Sequence, residues 1–259
     1  MVNEFQQQWA IILGGSSGLG LASAKKLATH GMHLCIVHRN ARTELESIEN
    51  EFESIRKNGV SLISYNMDAL SNEKRGEMID EFITKMGKGQ VKCLIHSIAK
   101  GSLKKMTTDD GLTNEDFLIT LNAMAVSLHD WTQSIFKAGL FSSHARILSF
   151  TSEGGRRPLP HYGAVSTAKA ALEAISRQIA MEYAPYGITS NCIQAGVTET
   201  PALRMIPNSD VIMEIARKRN PYKRLTTPED VANVVYLMCK DESAWINGTI
   251  IVVDGGESL

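Results

Sequence analysis

The chain has 259 residues, 43% of them hydrophobic, and a formal net charge of −1 at pH 7. Such a composition can bury one large core, and it gives no electrostatic reason to expect nucleic acid or a membrane surface as a partner. No apolar run reaches the roughly 18 residues of a membrane helix, and residues 1–8 lack the pattern of a secretion signal. We therefore expect one cytoplasmic domain over residues 1–259.

Short apolar runs alternate with longer helical patterns along the chain. Because these runs are short and continuous, they are typical of parallel strands, and the segments between them suit crossover helices. The predicted strands are residues 9–13, 34–37, 62–65, 91–96, 145–150, 188–193 and 249–253. The predicted helices are residues 21–29, 41–58, 72–86, 117–138, 162–186 and 228–240. This order predicts an α/β fold, a doubly wound sheet of seven parallel strands with helices on both faces.

A glycine-rich turn follows the first predicted strand. Glycines at these positions let the backbone turn sharply and approach a pyrophosphate, whose charge meets the N-terminus of the next helix. The pattern therefore predicts a Rossmann-type dinucleotide site. Its predicted cofactor-binding residues are Gly14, Ser16, Ser17, Gly18, Leu19 and Gly20.

The residues after the second predicted strand bear on the choice of cofactor. An NAD site needs a carboxylate there, whereas an NADP site needs positive charge for the 2′-phosphate. The chain has His38, Arg39 and Asn40 at this point, with no acid. This favours NADPH over NADH, with Arg39 as the phosphate ligand. The alternative is that Arg39 only ends the strand in solvent.

Residues 198–224 differ from the rest of the chain. Three prolines surround a short amphipathic stretch that follows a strand beside the expected cofactor cleft. We predict that this segment is a substrate lid and that residues 201–220 are mobile without ligand, because their apolar side chains need something to cover. An ordinary packed pair of helices is the alternative. The apolar side chains are Leu203, Ile206, Ile212 and Ile215.

Four cysteines are spread along the chain. Cys35, Cys93, Cys192 and Cys239 lie in apolar segments and form no C-x-x-C pattern. This predicts buried free thiols rather than disulfides or a zinc site.

Several motifs in sequence order resemble the short-chain dehydrogenase/reductase superfamily over nearly the whole chain. They are the G-x3-G-x-G turn, Asp68, the stretch CLIHSIA at 93–99, Asn122, the loop 194–200, and VVDGG at 252–256. The resemblance implies that Asp68 lies near the adenine and that Asn122 takes part in a water relay. It also implies further cofactor-binding residues, namely Ser97, Ile98, Ala99, Gly196 and Thr200.

The strongest resemblance concerns a tyrosine and a lysine. Superfamily members ordinarily carry Tyr-x3-Lys, but here Val165 occupies that tyrosine position, and Tyr162 precedes Lys169 by seven residues. Three helical residues correspond to a rise of about 4.5 Å, so the phenol is displaced along the substrate. This Tyr-x6-Lys spacing is similar to that of the enoyl-acyl carrier protein reductases. Conjugate reduction suits the displacement, because charge develops on the thioester oxygen, several bonds from the carbon that accepts hydride.

The resemblance implies a catalytic set of Tyr162, Lys169 and Ser152. Lys169 would hold the nicotinamide ribose and lower the pKa of the tyrosine. The stretch HSIA resembles the FabI type of enoyl reductase, whereas Ser152 resembles the NADPH-using FabL type. The implied function is NADPH-dependent reduction of an enoyl thioester, on acyl carrier protein by resemblance, in a homotetramer.

Two alternatives remain open. One is an NADP-dependent carbonyl reductase, which Ser152 and Asn122 favour and Val165 opposes. The other is a nucleotide-binding protein without catalysis. We expect no catalytic role for His96, beneath the cofactor, or for His161, just before a helix.

Overall fold

The computed structural model describes residues 4–259, which contain seven strands and nine α-helices. The strands are β1 (Trp9–Leu13), β2 (His33–His38), β3 (Leu62–Asn66), β4 (Val91–His96), β5 (Phe141–Ser152), β6 (Thr189–Ala195) and β7 (Ile250–Val253). The helices are α1 (Gly18–Ala28), α2 (Leu45–Arg56), α3 (Asn72–Met86), α4 (Asn114–Leu121), α5 (Ser127–Lys137), α6 (Gly163–Glu182), α7 (Pro201–Arg204), α8 (Ser209–Arg219) and α9 (Pro228–Cys239).

The seven strands form one parallel sheet in the order β3-β2-β1-β4-β5-β6-β7. The strand order reverses direction between β1 and β4, which is the place where doubly wound sheets bind ligands, beyond the carboxyl ends of the strands. The predicted Rossmann-type α/β fold is confirmed.

Apolar layers cover both faces of the sheet. Along β1, Ala10 and Ile12 face one layer, while Ile11 and Leu13 face the other. The first layer includes side chains of α1, α2 and α9, and the second includes side chains of α3, α5 and α6. Since both faces are buried, the strands read as continuous apolar runs rather than alternating ones.

The helix predicted over residues 117–138 is interrupted. It starts earlier, because Thr113 Oγ1 accepts a hydrogen bond from the Asp116 N–H at 3.2 Å and Asp116 accepts one from the Thr113 N–H at 3.0 Å. Such a capping box defines a helix start. A π-helical turn over Asn122–Val126 then separates α4 from α5. Turns of this kind are frequent at functional sites.

Several other boundaries differ from the sequence prediction, among them those of β5, α6 and α2. β5 extends to Ser152, because its pairing with β6 continues to Ser152 opposite Ala195. α6 ends at Glu182, and a 3-10 turn over Ala184–Tyr186 with Pro185 follows. The helix predicted from residue 41 starts at Leu45 after another 3-10 turn.

The predicted lid segment contains α7 and α8. Met213 and Ala216 anchor α8 in the interior, while Leu203, Ile206 and Ile212 are half-buried. Ile215 is 52% exposed. The segment is therefore anchored by buried residues of α8, while some of its apolar side chains are exposed at the surface. Its mobility without ligand stays a prediction.

The four cysteines are buried free thiols, as the sequence predicted. Within residues 4–259, none of the helices combines the length and apolar character needed to cross a membrane.

We predict that Gly20→Ala destabilises the protein. A Cβ at Gly20 would lie 2.2 Å from the Gly14 carbonyl oxygen, a backbone atom that cannot move aside. The matched control is Gly76→Ala in α3, where a Cβ would have no neighbour within 4 Å. That change should raise the free energy of unfolding by about 0.5 to 1 kcal/mol, since alanine favours a helix over glycine. Urea unfolding compares the two variants, and a Gly20→Ala variant as stable as the native protein would contradict the packing argument.

Candidate active site

The glycine turn sits where β1 and β4 end side by side. Gly14 has φ of +83°, and a Cβ there would lie 2.4 Å from the Ser97 carbonyl oxygen. The Ser97 N–H in turn donates to the Leu13 carbonyl at 2.8 Å. Only glycine fits this approach, so Gly14 and Ser97 together form the floor of the crevice at the point of strand reversal.

The start of α1 fits a dinucleotide pyrophosphate. The N-cap residue Ser17 makes no side-chain cap, and the first turn contains no acidic residue. The first N–H groups of a helix lack intrahelical acceptors, so they and the positive end of the helix dipole favour an anion. Gly18 brings this turn within van der Waals distance of Thr200, since a Cβ at Gly18 would lie 3.4 Å from Thr200 Cγ2.

The predicted phosphate ligand Arg39 is paired with an acid. Its Nη1 donates to Asp68 Oδ2 at 2.7 Å, and the two side chains are 65% and 36% exposed. Exposed ion pairs contribute about 0 to 1 kcal/mol to stability. This pair therefore keeps Arg39 near the end of β2 but is weak enough for another anion to replace Asp68. Asp68 and Arg39 were predicted to have separate cofactor roles, and their contact was not predicted from the sequence.

Asn40 is a further polar residue at this edge. Its Oδ1 accepts a hydrogen bond from Ser16 Oγ at 2.8 Å and lies 3.0 Å from Nδ1 of the buried His38. It thereby ties the glycine turn to the end of β2. Ser16 was predicted to bind cofactor, and the structure shows its hydroxyl directed to Asn40. Its position directly after Arg39 was the one available sequence signal for Asn40.

Lys169 is a buried charge in the second turn of α6. Its Nζ donates to the Phe150 carbonyl oxygen of β5 at 2.7 Å. Burial lowers the pKa of Lys169 to about 8, while the neighbouring Glu173 acts to raise it. Glu173 is itself 5% exposed, and its carboxylate accepts from Thr151 Oγ1 at 2.7 Å. Glu173 was not predicted from the sequence, although its place one turn after Lys169 is a recognisable signal.

Tyr162 immediately precedes α6, and the structure brings it to the turn that contains Ser152. The phenol ring lies against Gly154, where a Cβ would be 2.6 Å from Tyr162 Cε1. Ser152 Oγ accepts from the Gly154 N–H at 3.1 Å. Burial raises the pKa of Tyr162, and Ser152 partly offsets the increase. Lys169 was expected to lower the pKa of Tyr162, whereas burial, which raises that pKa, is the dominant influence in the structure.

Val165 occupies the usual tyrosine position as part of the core. It is buried in an apolar cluster with Ala123, Met124 and Ala168. Tyr162 packs against the edge of this cluster, so the sole phenol at the start of α6 is the displaced one.

Three predicted residues have side chains that do not converge on Tyr162. Asn122 begins the π-helical turn and is exposed, and within residues 4–259 its side chain makes no hydrogen bond to Tyr162 or Lys169. Ala99 is exposed, and Ile98 packs partly into the core. The cofactor contacts of these residues stay predictions.

His96 is buried and neutral. Its Nε2 lies 2.8 Å from Ser127 Oγ, and burial lowers the pKa of His96 to about 3. A neutral imidazole without access to solvent suits a structural role.

The loop after β6 packs closely against Thr226 and Glu257. A Cβ at Gly196 would lie 2.4 Å from Thr226 Oγ1 and 2.9 Å from Glu257 Oε2. The Val197 N–H donates to that same Glu257 oxygen at 3.0 Å. Thr200 Oγ1 caps α7 by accepting from the Leu203 N–H at 3.2 Å. Glu257 was missed, because nothing near it in sequence marks a contact 60 residues away.

The described part of the chain, residues 4–259, has no group of three or more His, Cys, Asp or Glu side chains arranged for a metal ion. The polar groups at this site include the first N–H groups of α1, the Arg39–Asp68 pair, and the side chains of Lys169, Tyr162 and Ser152.

The sequence matches the family described as enoyl-(acyl carrier protein) reductase over residues 14–258. The chain therefore belongs to this branch of the short-chain dehydrogenase/reductase superfamily, and it is an oxidoreductase.

Similar proteins differ in activity and cofactor. The chain is 29% identical to the 7alpha-hydroxysteroid dehydrogenase of Paraclostridium sordellii over 262 residues, covering 100% of this chain and 94% of that one. A short-chain dehydrogenase from Burkholderia cenocepacia J2315, solved with NADP, is 26% identical with a TM-score of 0.85, covering 99% and 100% of the two chains. The enoyl-[acyl-carrier-protein] reductase (NADH) from Aquifex aeolicus VF5 has the same fold, with a TM-score of 0.85, 24% identity and coverage of 98% of both chains. Proteins with this fold therefore include both NADP-linked and NADH-linked ones.

We predict that cofactor affinity depends on pH through Lys169. The ammonium is charged below its pKa of about 8 and neutral above it, so a cofactor that binds the charged form loses affinity as the pH rises. The loss should approach about tenfold per pH unit above that value. NADPH fluorescence titrations between pH 7 and 10 measure this dependence. Lys169→Met should bind weakly at every pH, and a native dissociation constant that stays flat to pH 10 would refute the prediction.

Proposed function

We propose that this protein reduces the trans-2 double bond of an enoyl thioester with NADPH. The observation that carries the proposal is the position of the phenol. Tyr162 lies before the first turn of α6, while the usual tyrosine position is filled by Val165 in the core. A phenol displaced in this way suits an oxygen farther along the substrate than a carbonyl at the hydride-accepting carbon.

Tyr162 is the proposed oxyanion donor. Burial raises the pKa of Tyr162, so the phenol stays protonated and can donate a hydrogen bond to the thioester oxygen as the enolate forms. A bound reduced nicotinamide supplies the hydride to the β-carbon. Solvent or a relay then delivers a proton to the α-carbon. The raised pKa therefore supports a donor role rather than a phenolate base.

Lys169 holds the cofactor in this proposal. Its buried Nζ uses one hydrogen bond on the Phe150 carbonyl and retains two N–H groups for the ribose hydroxyls. The carbonyl fixes the direction of these two donors.

NADPH is the proposed cofactor because of Arg39. The guanidinium stands at the end of β2 beside Asp68, and no acid occupies the residues after the strand that would repel a 2′-phosphate. A phosphate offers the guanidinium a charge-assisted, bidentate partner.

A carbonyl reductase is the second candidate. The Ser152 hydroxyl lies near Tyr162, an arrangement that can bind a substrate carbonyl directly, and the similarity to a hydroxysteroid dehydrogenase supports it. Side-by-side rates on an enoyl thioester and a 3-ketoacyl thioester separate the two candidates.

We further propose acyl carrier protein as the carrier of the substrate, a cytoplasmic location, and a homotetramer. Large exposed apolar side chains near β7 support an assembly, since such patches commonly mark interfaces. Trp245 is 99% exposed and Val252 is 52% exposed. Light scattering at micromolar concentration measures the oligomeric state.

We predict that Tyr162→Phe lowers the turnover number on an enoyl thioester without weakening NADPH binding. Losing an oxyanion donor costs about 2.7 to 4 kcal/mol, which is roughly a hundred- to a thousandfold in rate. Ser152→Ala should cost less. Stopped-flow rates and cofactor titrations measure both effects. Should Ser152→Ala cost as much as Tyr162→Phe, and a 3-ketoacyl thioester react faster than its enoyl counterpart, the carbonyl-reductase alternative would replace this proposal.

We predict that Arg39→Ala raises the Michaelis constant for NADPH far more than that for NADH, because only NADPH carries the 2′-phosphate. Arg42→Ala is the matched control, since Arg42 is exposed on the same segment and lies three residues farther along. It should leave both constants nearly unchanged. Equal losses with the two cofactors after Arg39→Ala, or a native preference for NADH, would rule out this assignment.

A further inference from the structure

One arginine joins three separate segments around the candidate active site. Arg219 is the last residue of α8, and its Nη2 lies 3.1 Å from both carboxylate oxygens of Glu153. Its Nε and Nη2 also donate to the backbone carbonyl of Glu257, at 3.1 and 2.8 Å. Glu153 directly follows Ser152, and Glu257 lies in the turn after β7. The C-terminal end of α8 is therefore bound to the turn that follows β5.

This ion pair differs from the others on α8. Lys218 pairs with Glu214 within the helix, and those side chains are 75% and 63% exposed. Asp210 pairs with Arg204 of the neighbouring α7. Arg219 and Glu153 are only 28% and 31% exposed, and their pair spans 66 residues of sequence. Shielding from water makes such a pair stronger than a surface pair, so it can hold two segments in place.

Glu257, in the turn after β7, also contacts the N-terminal end of the predicted lid segment. Its buried carboxylate accepts from the Val197 N–H at 3.0 Å, just before the lid, while its backbone carbonyl binds Arg219 at the end of α8. Asn220 adds a second link, donating from Nδ2 to the Asp254 carbonyl at 2.8 Å. Both roots of the lid segment are thereby fixed to one turn.

The contact with Glu153 leads to the phenol. The Glu153–Gly155 turn includes Gly154, whose backbone lies against the Tyr162 ring, and whose N–H is held by Ser152 Oγ. A shift of this turn would therefore move Ser152 relative to Tyr162. Arg157 also reaches Glu153, at 3.2 Å, but it is exposed and belongs to the same loop. Arg219 is the cation that ties this turn to the lid.

We infer that Arg219 is a positioning residue. It fixes the position of Ser152 relative to Tyr162 only while α8 is packed against the rest of the protein. When α8 is in place, Arg219 holds the Glu153–Gly155 turn against the phenol. When α8 lifts, that turn loses its anchor and the two side chains lose their relative position. The predicted lid segment thus holds Ser152 and Tyr162 in their relative position, in addition to covering the site. The inference rests on the proposed function for the identity of the substrate, but not for the coupling itself.

The test compares Arg219→Met with Lys218→Met, a change of the neighbouring cation on the same helix. Arg219→Met should lower the turnover number roughly ten- to a hundredfold, as expected when reacting groups are misplaced. The NADPH dissociation constant should stay within about twofold of the native value, because the glycine turn and Lys169 are untouched. Lys218→Met should leave both quantities nearly unchanged. Equal effects of the two substitutions on the turnover number would overturn the inference.

Two further measurements separate positioning from a merely structural role. Glu153→Gln should also lower the turnover number, and adding it to Arg219→Met should cost less than the sum of the two losses, since both changes weaken the contact that the two side chains share. Hydrogen exchange of residues 152–157 should be faster in Arg219→Met than in Lys218→Met, and this readout needs no substrate. If the native protein instead reduces a 3-ketoacyl thioester, the proposed function fails, while the same pattern of variant rates on that substrate upholds the inference. Additive losses in the double variant, or unchanged exchange at residues 152–157, would contradict it.

Discussion

A buried ammonium group constrains the rest of this active site. Lys169 lies in the interior, where an unpaired charge would cost several kcal/mol, and the Phe150 carbonyl and the nearby Glu173 carboxylate offset that cost. The hydrogen bond joins the middle of α6 to β5 and so fixes how helix and strand lie against each other. Ser152 at the end of β5 and Tyr162 at the start of α6 are brought together as a consequence.

Tyr162, the displaced tyrosine, lies directly before the N-terminus of α6. The N-terminus of α6 carries partial positive charge from its unpaired N–H groups and the helix dipole. In the proposed reaction, a substrate oxygen that hydrogen-bonds to Tyr162 would lie near this end, so the helix and the phenol would stabilise the same developing negative charge. A tyrosine one turn farther along, at the position of Val165, would meet its substrate oxygen farther from the helix terminus. Under this proposal, the spacing decides which oxygen the site stabilises.

Local patterns revealed the fold and part of the site. The seven strands were predictable because each is a continuous apolar run, and the glycine turn because its residues are adjacent in sequence. The Arg39 pair with Asp68 and the Arg219 pair with Glu153 were not, since they join residues 29 and 66 positions apart. The π-helical turn at Asn122 likewise leaves no local signal, as its residues also suit a continuous helix. Sequence thus indicated the candidate site residues, and the structure showed which contacts hold them.

The contact between Arg39 and Asp68 bears on how one fold serves two cofactors. An arginine facing open solvent pays the full entropy of ordering when a phosphate arrives, whereas this pair already holds the guanidinium near the end of β2. An exposed carboxylate competes weakly for it, because water screens the pair to about 1 kcal/mol or less. A 2′-phosphate carries more charge and more acceptor oxygens than one carboxylate, so in the proposed NADPH complex it would displace or share the contact. Preorganisation by a weak partner would then favour the phosphate without blocking its access to Arg39.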